Sequence, residues 1–188
     1  MSTVGARMDR DGILRLLTQV GCLLESQGQT AELYVVGGAA MALTLDSRRT
    51  TADIDASVSG ASDAFWAAVE TVGRDNGLPP DWLNTTATMF FTNEPDSDAV
   101  EFNMPGLRVL AGSAKHLIAM KLRALRERDM DDLEVLFRAA GVTTPEQAAA
   151  VHDQLFDDTY PGYWPEDEAL FRAREVFARA ARLGRPLA

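Results

Sequence analysis

One cysteine, Cys22, stands in a chain of 188 residues, so no internal disulfide can form. It falls in an amphipathic helical pattern and reads as a small semi-buried residue rather than a nucleophile. His116 and His152 are isolated from each other and from Cys22, which removes the side-chain cluster a zinc site needs; both read as helix-surface residues. No apolar run approaches the length of a membrane span. Asp9, Arg10 and Asp11 interrupt the place where a signal-peptide core would follow the N-terminus, so the expected location is cytoplasmic. Internal repeats, low-complexity tracts and linkers are missing too. An excess of basic residues is also absent. Lys and Arg total 18 against 28 Asp and Glu, a formal net charge of −10. That balance argues against a surface built for non-specific nucleic-acid binding. It leaves small substrates, an RNA met by a local basic patch, or a basic protein partner. What is present is a 46% hydrophobic content, enough for a globular core.

The chain is organised around Leu33-Tyr34-Val35-Val36-Gly37-Gly38-Ala39-Ala40 and, shortly after, Arg49-Thr50-Thr51-Ala52-Asp53-Ile54-Asp55-Ala56. The first stretch predicts a buried strand over Leu33–Val36, a glycine pair, and a helix over Ala39–Leu45. Glycines at a helix start let a phosphate approach the backbone and its N–H groups. The second stretch predicts a strand over Asp53–Ala56. Alternation along a strand turns Asp53 and Asp55 to one side and Ile54 to the other. Two adjacent carboxylates suit a hard divalent cation such as Mg²⁺, with coordination positions left for substrate phosphates. Taken singly, Gly37-Gly38 is an ordinary turn and Asp53-x-Asp55 an ordinary strand edge. Together, with Arg49 and Thr51 just upstream, they form the minimum set for metal-assisted nucleotidyl transfer.

These motifs, Val35-Val36-Gly37-Gly38-Ala39-Ala40 followed by Arg49-x-Thr51-x-Asp53-x-Asp55, resemble those of the AbiEii/MenT-type nucleotidyltransferases of the polymerase-β-like minimal nucleotidyltransferase superfamily. Many members are toxins of bacterial toxin–antitoxin systems. The resemblance is strongest over Leu33–Ala56 and Leu107–Leu136. It implies Mg²⁺ or Mn²⁺ at Asp53 and Asp55, an NTP donor, phosphate contacts from Gly37, Gly38, Arg49 and Thr51, and transfer to the acceptor end of tRNA. A cognate antitoxin protein is the implied partner.

Elsewhere, Ile13 to Leu24 predict an amphipathic helix after a frayed start up to about Asp11. Val58 to Ser62 read as a loop, with Ser62 as the cap of a helix carrying Phe65, Trp66, Val69 and Val72. Trp82 reads as a core anchor and Asn84 as a turn residue, the alternative being that Asn84 faces substrate. Thr88–Thr92 and Leu107–Leu110 predict strands. Glu101 is the one acidic candidate for a third metal carboxylate, and otherwise a solvated edge residue. Ser113 caps a helix in which Lys121 sits at the edge of the apolar stripe. There it either snorkels or neutralises charge as pyrophosphate leaves, and the match of Ala119-Met120-Lys121-Leu122 to the family's lysine motif implies the second.

Arg128-Asp129-Met130-Asp131-Asp132-Leu133 is the second charged constellation. As local structure, Asp129 is a helix N-cap, Asp132 a favourable acid in the first turn, and Asp131 a solvated residue. The family's Arg-Asp-x-x-Asp motif implies a catalytic part for Asp132, as base, metal-site partner or orienting group for Lys121, and less directly for Asp129. Thr144-Pro145-Glu146-Gln147 predicts a capping box. Tyr160 to Pro165 predict a rigid aromatic turn, and a last helix turns Leu170, Phe171, Phe177 and Ala180 inward.

The expected fold is α+β: a small mixed sheet packed with helices as a nucleotidyltransferase-like core over residues 1–112, and a helical region over 113–188. The expected function is Mg²⁺-dependent nucleotidyl transfer. Asp53, Asp55, Lys121 and Asp132 form its catalytic set, and Arg48, Arg49, Lys115, Arg123, Arg126 and Arg128 a patch facing RNA. Two alternatives stay open: a partner protein as acceptor, or a degenerate fold acting as a binding module.

Overall fold

A computed structural model describes residues 7–46, 49–60, 63–92, 94–156 and 164–187. Arg48, the Ser62 cap and Tyr160 to Tyr163 of the aromatic turn lie outside the described residues. The architecture is the mixed α/β one expected, a five-stranded mixed sheet with helices and a helical C-terminal region. The chain divides into two compact units, Met1–Met89 with Asp98–Gly112, and Phe90–Ser97 with Ser113–Ala188. No described helix is long and apolar enough to cross a membrane.

The first unit opens with α1 (Arg10–Ser26). Its start is better fixed than the sequence suggested. The Asp9 carboxylate accepts the Gly12 N–H at 2.9 Å, and Met8 pairs through its backbone with Thr51, so Arg10 and Asp11 are already helical. Strand β1 (Ala31–Val36) runs straight into α2 (Gly37–Thr44), two residues earlier than expected. Next come β2 (Ile54–Ser59), α3 (Asp63–Asp75), the two-residue β3 (Leu83–Asn84), and a hairpin of β4 (Val100–Met104) and β5 (Leu107–Ala111). The sheet order is β3-β2-β1-β5-β4. β1 is antiparallel to β2 and parallel to β5, with Val36 opposite Asp55 and Val35 opposite Ala111.

Alternation gives the sheet two unlike faces. Leu33, Val35, Ile54, Ala56, Leu107, Val109 and Ala111 are buried, as are Ile13, Leu16, Leu17 and Val20 of α1. The Cβ that any other residue would add at Gly21 falls 2.2 Å from the Pro105 carbonyl oxygen and 3.1 Å from the Leu107 Cβ, so α1 lies directly against the β4–β5 hairpin. Glu32, Tyr34, Asp55, Ser57 and Arg108, at the alternate positions, are half-buried or exposed. Trp82 is buried as expected; its ring lies on Gly73, and its indole N–H donates to the Val69 carbonyl at 3.2 Å.

Four expectations in this unit need correction. β2 starts at Ile54, so Asp53 precedes the strand, and Val58 and Ser59, expected in a loop, continue it opposite Leu33 and Glu32. Asn84 is paired in β3 beside Asp55 rather than set in a turn. Thr88–Thr92 is not a strand: a 3₁₀ turn spans Thr86–Phe90. The Asn84 side chain accepts the Thr86 N–H at 2.9 Å, and the Thr88 hydroxyl donates to the Thr85 carbonyl at 2.8 Å. Local side-chain bonds of this kind outcompete β-propensity. Cys22 is exposed, on the side of α1 away from the core.

The second unit holds α4 (Ala114–Ala124), α5 (Asp129–Ala140), α6 (Pro145–Leu155) and α7 (Glu168–Arg182). Ser113 caps α4, and the reciprocal Thr144–Gln147 box caps α6 with Pro145 at its first position, as expected. Leu117, Ile118, Leu122, Leu133, Leu136 and Phe137 form the core. The buried stripe of α7 is Ala169, Ala173, Val176 and Ala180; Phe171, expected inward, is 57% exposed. Both histidines are buried rather than on the surface. His116 lies 3.2 Å from Asp96 and 3.2 Å from the Glu94 carbonyl, which ties the segment before β4 to the start of α4. His152 stacks on Trp164 with ring centroids 5.0 Å apart, and burial pushes its pKa below the ordinary value despite the neighbouring Asp153.

Candidate functional site

Within the first unit the glycine turn gathers most of the expected phosphate-site residues. Gly37 has φ +64, a left-handed conformation that a side chain disfavours. Val36 ahead of it is extended and offers no side-chain cap. Val36 thus covers none of the opening N–H groups of α2 with its side chain, and a helix start is where backbone N–H groups favour an anion. The Asp55 carboxylate stands over this turn: a Cβ on Gly37 would lie 3.3 Å from Asp55 Oδ2. On Gly38 it would lie 3.0 Å from Thr51 Oγ1 and 3.9 Å from Arg49 Nε. Gly37, Gly38, Arg49, Thr51 and Asp55 thus meet at one place. A larger residue at either glycine would press into the polar groups beside it.

Asp53 is tied to this place through its backbone. It sits in the approach to β2, exposed, with its carbonyl accepting the Thr51 hydroxyl at 3.0 Å. Ile54 beyond it is buried and donates its N–H to the Trp82 carbonyl at 2.7 Å, which anchors the strand start between the two aspartates. Strand alternation alone does not orient Asp53, since only Asp55 lies within the ladder.

The donor set near the turn is of hard oxygen. Among the described residues no three His, Cys, Asp or Glu side chains group as a complete metal centre. Mg²⁺ takes hard oxygen ligands and leaves positions for phosphate and water; the Asp55 carboxylate at the turn is of that donor type, and Asp53, two residues before it, is the second carboxylate such an ion could use. Glu101 does not extend the set. It lies on β4, three strand spacings or roughly 14 Å from β2 at ~4.8 Å per strand. Its carboxylate is held by Arg108 at 2.8 Å and by the Asn103 amide, and these bonds lower its pKa. It is a sheet-face ion pair rather than a third metal carboxylate.

Within the second unit, Lys121 Nζ donates to Asp129 Oδ1 at 2.7 Å and pairs with Asp132 Oδ2 at 2.8 Å. The three side chains are 11%, 8% and 9% exposed. Asp129 was expected as an N-cap. It is instead the first helical residue of α5, after Arg128, and its second oxygen accepts the Arg126 N–H at 3.0 Å. Asp131, expected to be merely solvated, pairs with Arg179 at 2.9 Å and Arg185 at 3.1 Å. The Arg179 hydrogen bond foremost, with Arg185 adding, holds its carboxyl below the usual range. Glu134 joins the same arginines at 2% exposure, a buried anchor that the sequence reading missed. Its clue was an acid at a position that helical spacing turns inward with Leu133 and Phe137.

The residues of the expected basic patch stand in different settings. Arg123 lies over the Trp164 and Phe156 rings at 4.5 and 4.7 Å, and Arg126 over Phe90 at 5.8 Å. Lys115 and Arg128 are exposed. Arg48 lies outside the described residues.

Residues 13–143 match the model of a family described as a nucleotidyltransferase of unknown function, DUF6036, and the chain belongs to that family. The match takes in the glycine turn, both aspartates, Lys121 and Asp132. No curated protein and no solved structure matches the chain.

Proposed function

We propose, starting from that membership, that the protein transfers a nucleotidyl group from an NTP to an acceptor with Mg²⁺ or Mn²⁺. The observation that carries this reading is the Asp55 carboxylate set 3.3 Å from the missing Cβ of Gly37 at an uncapped helix start. A carboxylate beside backbone N–H groups supports the reading, since one suits a cation and the other phosphate. The N–H groups of the α2 first turn, with Arg49 and Thr51, bind the phosphates. Asp53 and Asp55 supply oxygen ligands to the metal. Bound there, the metal would screen the triphosphate charge and acidify the attacking hydroxyl. Lys121 and Asp132 are assigned to the same reaction on the family motifs, Lys121 for the charge that develops on the departing pyrophosphate.

The finer assignment is an AbiEii/MenT-type toxin of a toxin–antitoxin system, cytoplasmic, acting on the acceptor end of tRNA and neutralised by an antitoxin protein. It rests on the motif resemblance. Incubation with each labelled NTP, Mg²⁺ and total tRNA tests it. Label should pass to tRNA with the native protein and not with Asp53→Ala or Asp55→Ala. No transfer above those controls with any NTP overturns the reading.

A second acceptor is favoured by one observation: the net charge of −10 suits a basic protein acceptor over a polyanion. Mass spectrometry of a co-expressed partner would then show one added nucleotide mass. A degenerate binding module predicts the opposite of both: calorimetry would find neither Mg²⁺ nor any NTP bound.

A further inference from the structure

The connection from α2 to β2 brings Arg49 and Thr51 to the glycine turn, yet no described residue between Thr44 and Ile54 is part of a helix or of the five-stranded sheet. Ordering such a segment costs backbone entropy that contacts have to offset.

Those contacts come from the two residues ahead of the α1 cap. The Met8 N–H donates to the Thr51 carbonyl at 2.7 Å, and the Thr51 N–H donates to the Met8 carbonyl at 2.9 Å. One residue thereby takes both backbone polar groups of Thr51. Arg7 grips the residue before it: Nε donates to the Thr50 hydroxyl at 2.8 Å and Nη2 to the Thr50 carbonyl at 2.9 Å. Met8 and Thr51 are both buried. Met8 is itself well anchored. Asp9, next in the chain, caps α1, and α1 is seated on the β4–β5 hairpin at Gly21.

A backbone held on both sides fixes where the side chain stands. The Thr51 hydroxyl donates to the Asp53 carbonyl at 3.0 Å and lies 3.0 Å from the place of a Cβ on Gly38. Arg7 and Met8 therefore act on the glycine turn through Thr50 and Thr51.

We infer that Arg7 and Met8 are positioning residues for nucleotide binding: they strap residues 50–51 in the place from which Thr51 and Arg49 meet the phosphates, so the segment ahead of α1 sets the affinity of the site. That phosphates bind there rests on the nucleotidyl-transfer reading; the hold on the loop does not.

Variants of the full-length chain separate this role from general stability. Met8→Pro deletes the N–H that bonds the Thr51 carbonyl, Met8→Ala trims the side chain and keeps that N–H, and Arg7→Ala releases Thr50. Calorimetry with each Mg·NTP should show affinity lowered about tenfold in Met8→Pro, the order of one hydrogen bond lost. Arg7→Ala should lose severalfold, Arg7→Lys should recover part of that loss, and Met8→Ala should stay nearest the native value. In turnover, KM should rise in the same order with kcat little changed. A variant that merely unfolds some of the molecules lowers kcat and leaves KM alone.

Amide exchange followed by NMR supplies the arm that needs no nucleotide. The Thr51 N–H should exchange at least tenfold faster in Met8→Pro than in the native protein, while the Val35 N–H, inside the sheet, should not change. Native affinity and KM in both Met8→Pro and Arg7→Ala overturn the inference, and so does a fall in kcat at constant KM. If the native protein binds no Mg·NTP, the proposed function fails and takes the affinity claim with it, and exchange at Thr51 alone decides the hold on the loop.

Discussion

Two turns in this molecule put a residue at positive φ beside a charged group, and they do so in opposite ways. At Gly37 the chain has no side chain, and backbone lies directly under the Asp55 carboxylate, 3.3 Å from where a Cβ would stand. At Leu125 it keeps a full side chain at φ +26, and the working surface is three side chains drawn together at 2.7 and 2.8 Å. On the proposed function the first region admits a nucleotide from outside. The second already satisfies most of what it contains. Damage should follow accordingly, affecting activity at the first and stability at the second.

The largest effect separates them on stability. Lys121→Met leaves two buried carboxylates without their cation and should cost ~3–5 kcal/mol, read from the urea midpoint. Asp55→Ala is the counterpart at the open region. Nucleotidyl transfer should fall by ~10²–10³-fold, while the urea midpoint stays near that of the native protein. A large loss of stability in Asp55→Ala would break the distinction. Gly37→Ala comes next: a Cβ at φ +64 should cost ~1–2 kcal/mol and weaken NTP binding measured by calorimetry. Leu125→Gly should go the other way, relieving backbone strain of order 1 kcal/mol against the loss of a half-buried side chain, with the net read as a shift in thermal midpoint.

The smallest effect sharpens the second region further. Burial lowers the pKa of His152 in the folded state. Its contribution to stability is therefore complete above the unfolded value near 6.5 and is lost as pH falls through the folded one, because the unfolded chain takes up the proton first. Thermal unfolding between pH 7.5 and 5 should show a midpoint that declines toward acid, and His152→Phe should flatten that decline.

The sequence made the open region legible because short-range pattern determines it. Apolar residues up to Val36, then two glycines, then alanines, can hardly be read otherwise than as strand, turn and helix. The Thr144 box and the Ser113 cap were legible for the same reason. What misled was any feature set by distant partners. Asp53 looked like a strand residue until pairing with β1 was seen to stop at Asp55. His116 and His152 looked like surface residues because Asp96 and Trp164, which bury them, lie 20 and 12 positions away. Glu101 looked available for a metal because nothing local reveals that Arg108 holds it across a hairpin. Lys121 was recognised at the edge of its stripe. That two aspartates share it depends on the geometry at Leu125, and leucine gives no warning of a left-handed turn.

The placement of β1 has a consequence for how the chain is made. Its partner on one side, β2, emerges soon after it, but its partner on the other, β5, begins roughly 50 residues beyond the end of β2. At ~5–20 residues per second of synthesis, the apolar strand Leu33–Val36 waits about 2.5–10 s with one edge unpaired. During that interval the nascent chain exposes a ready template for aggregation. Slowing translation between codons 60 and 106 should therefore lower the soluble yield, whereas the same slowing placed after codon 112 should not.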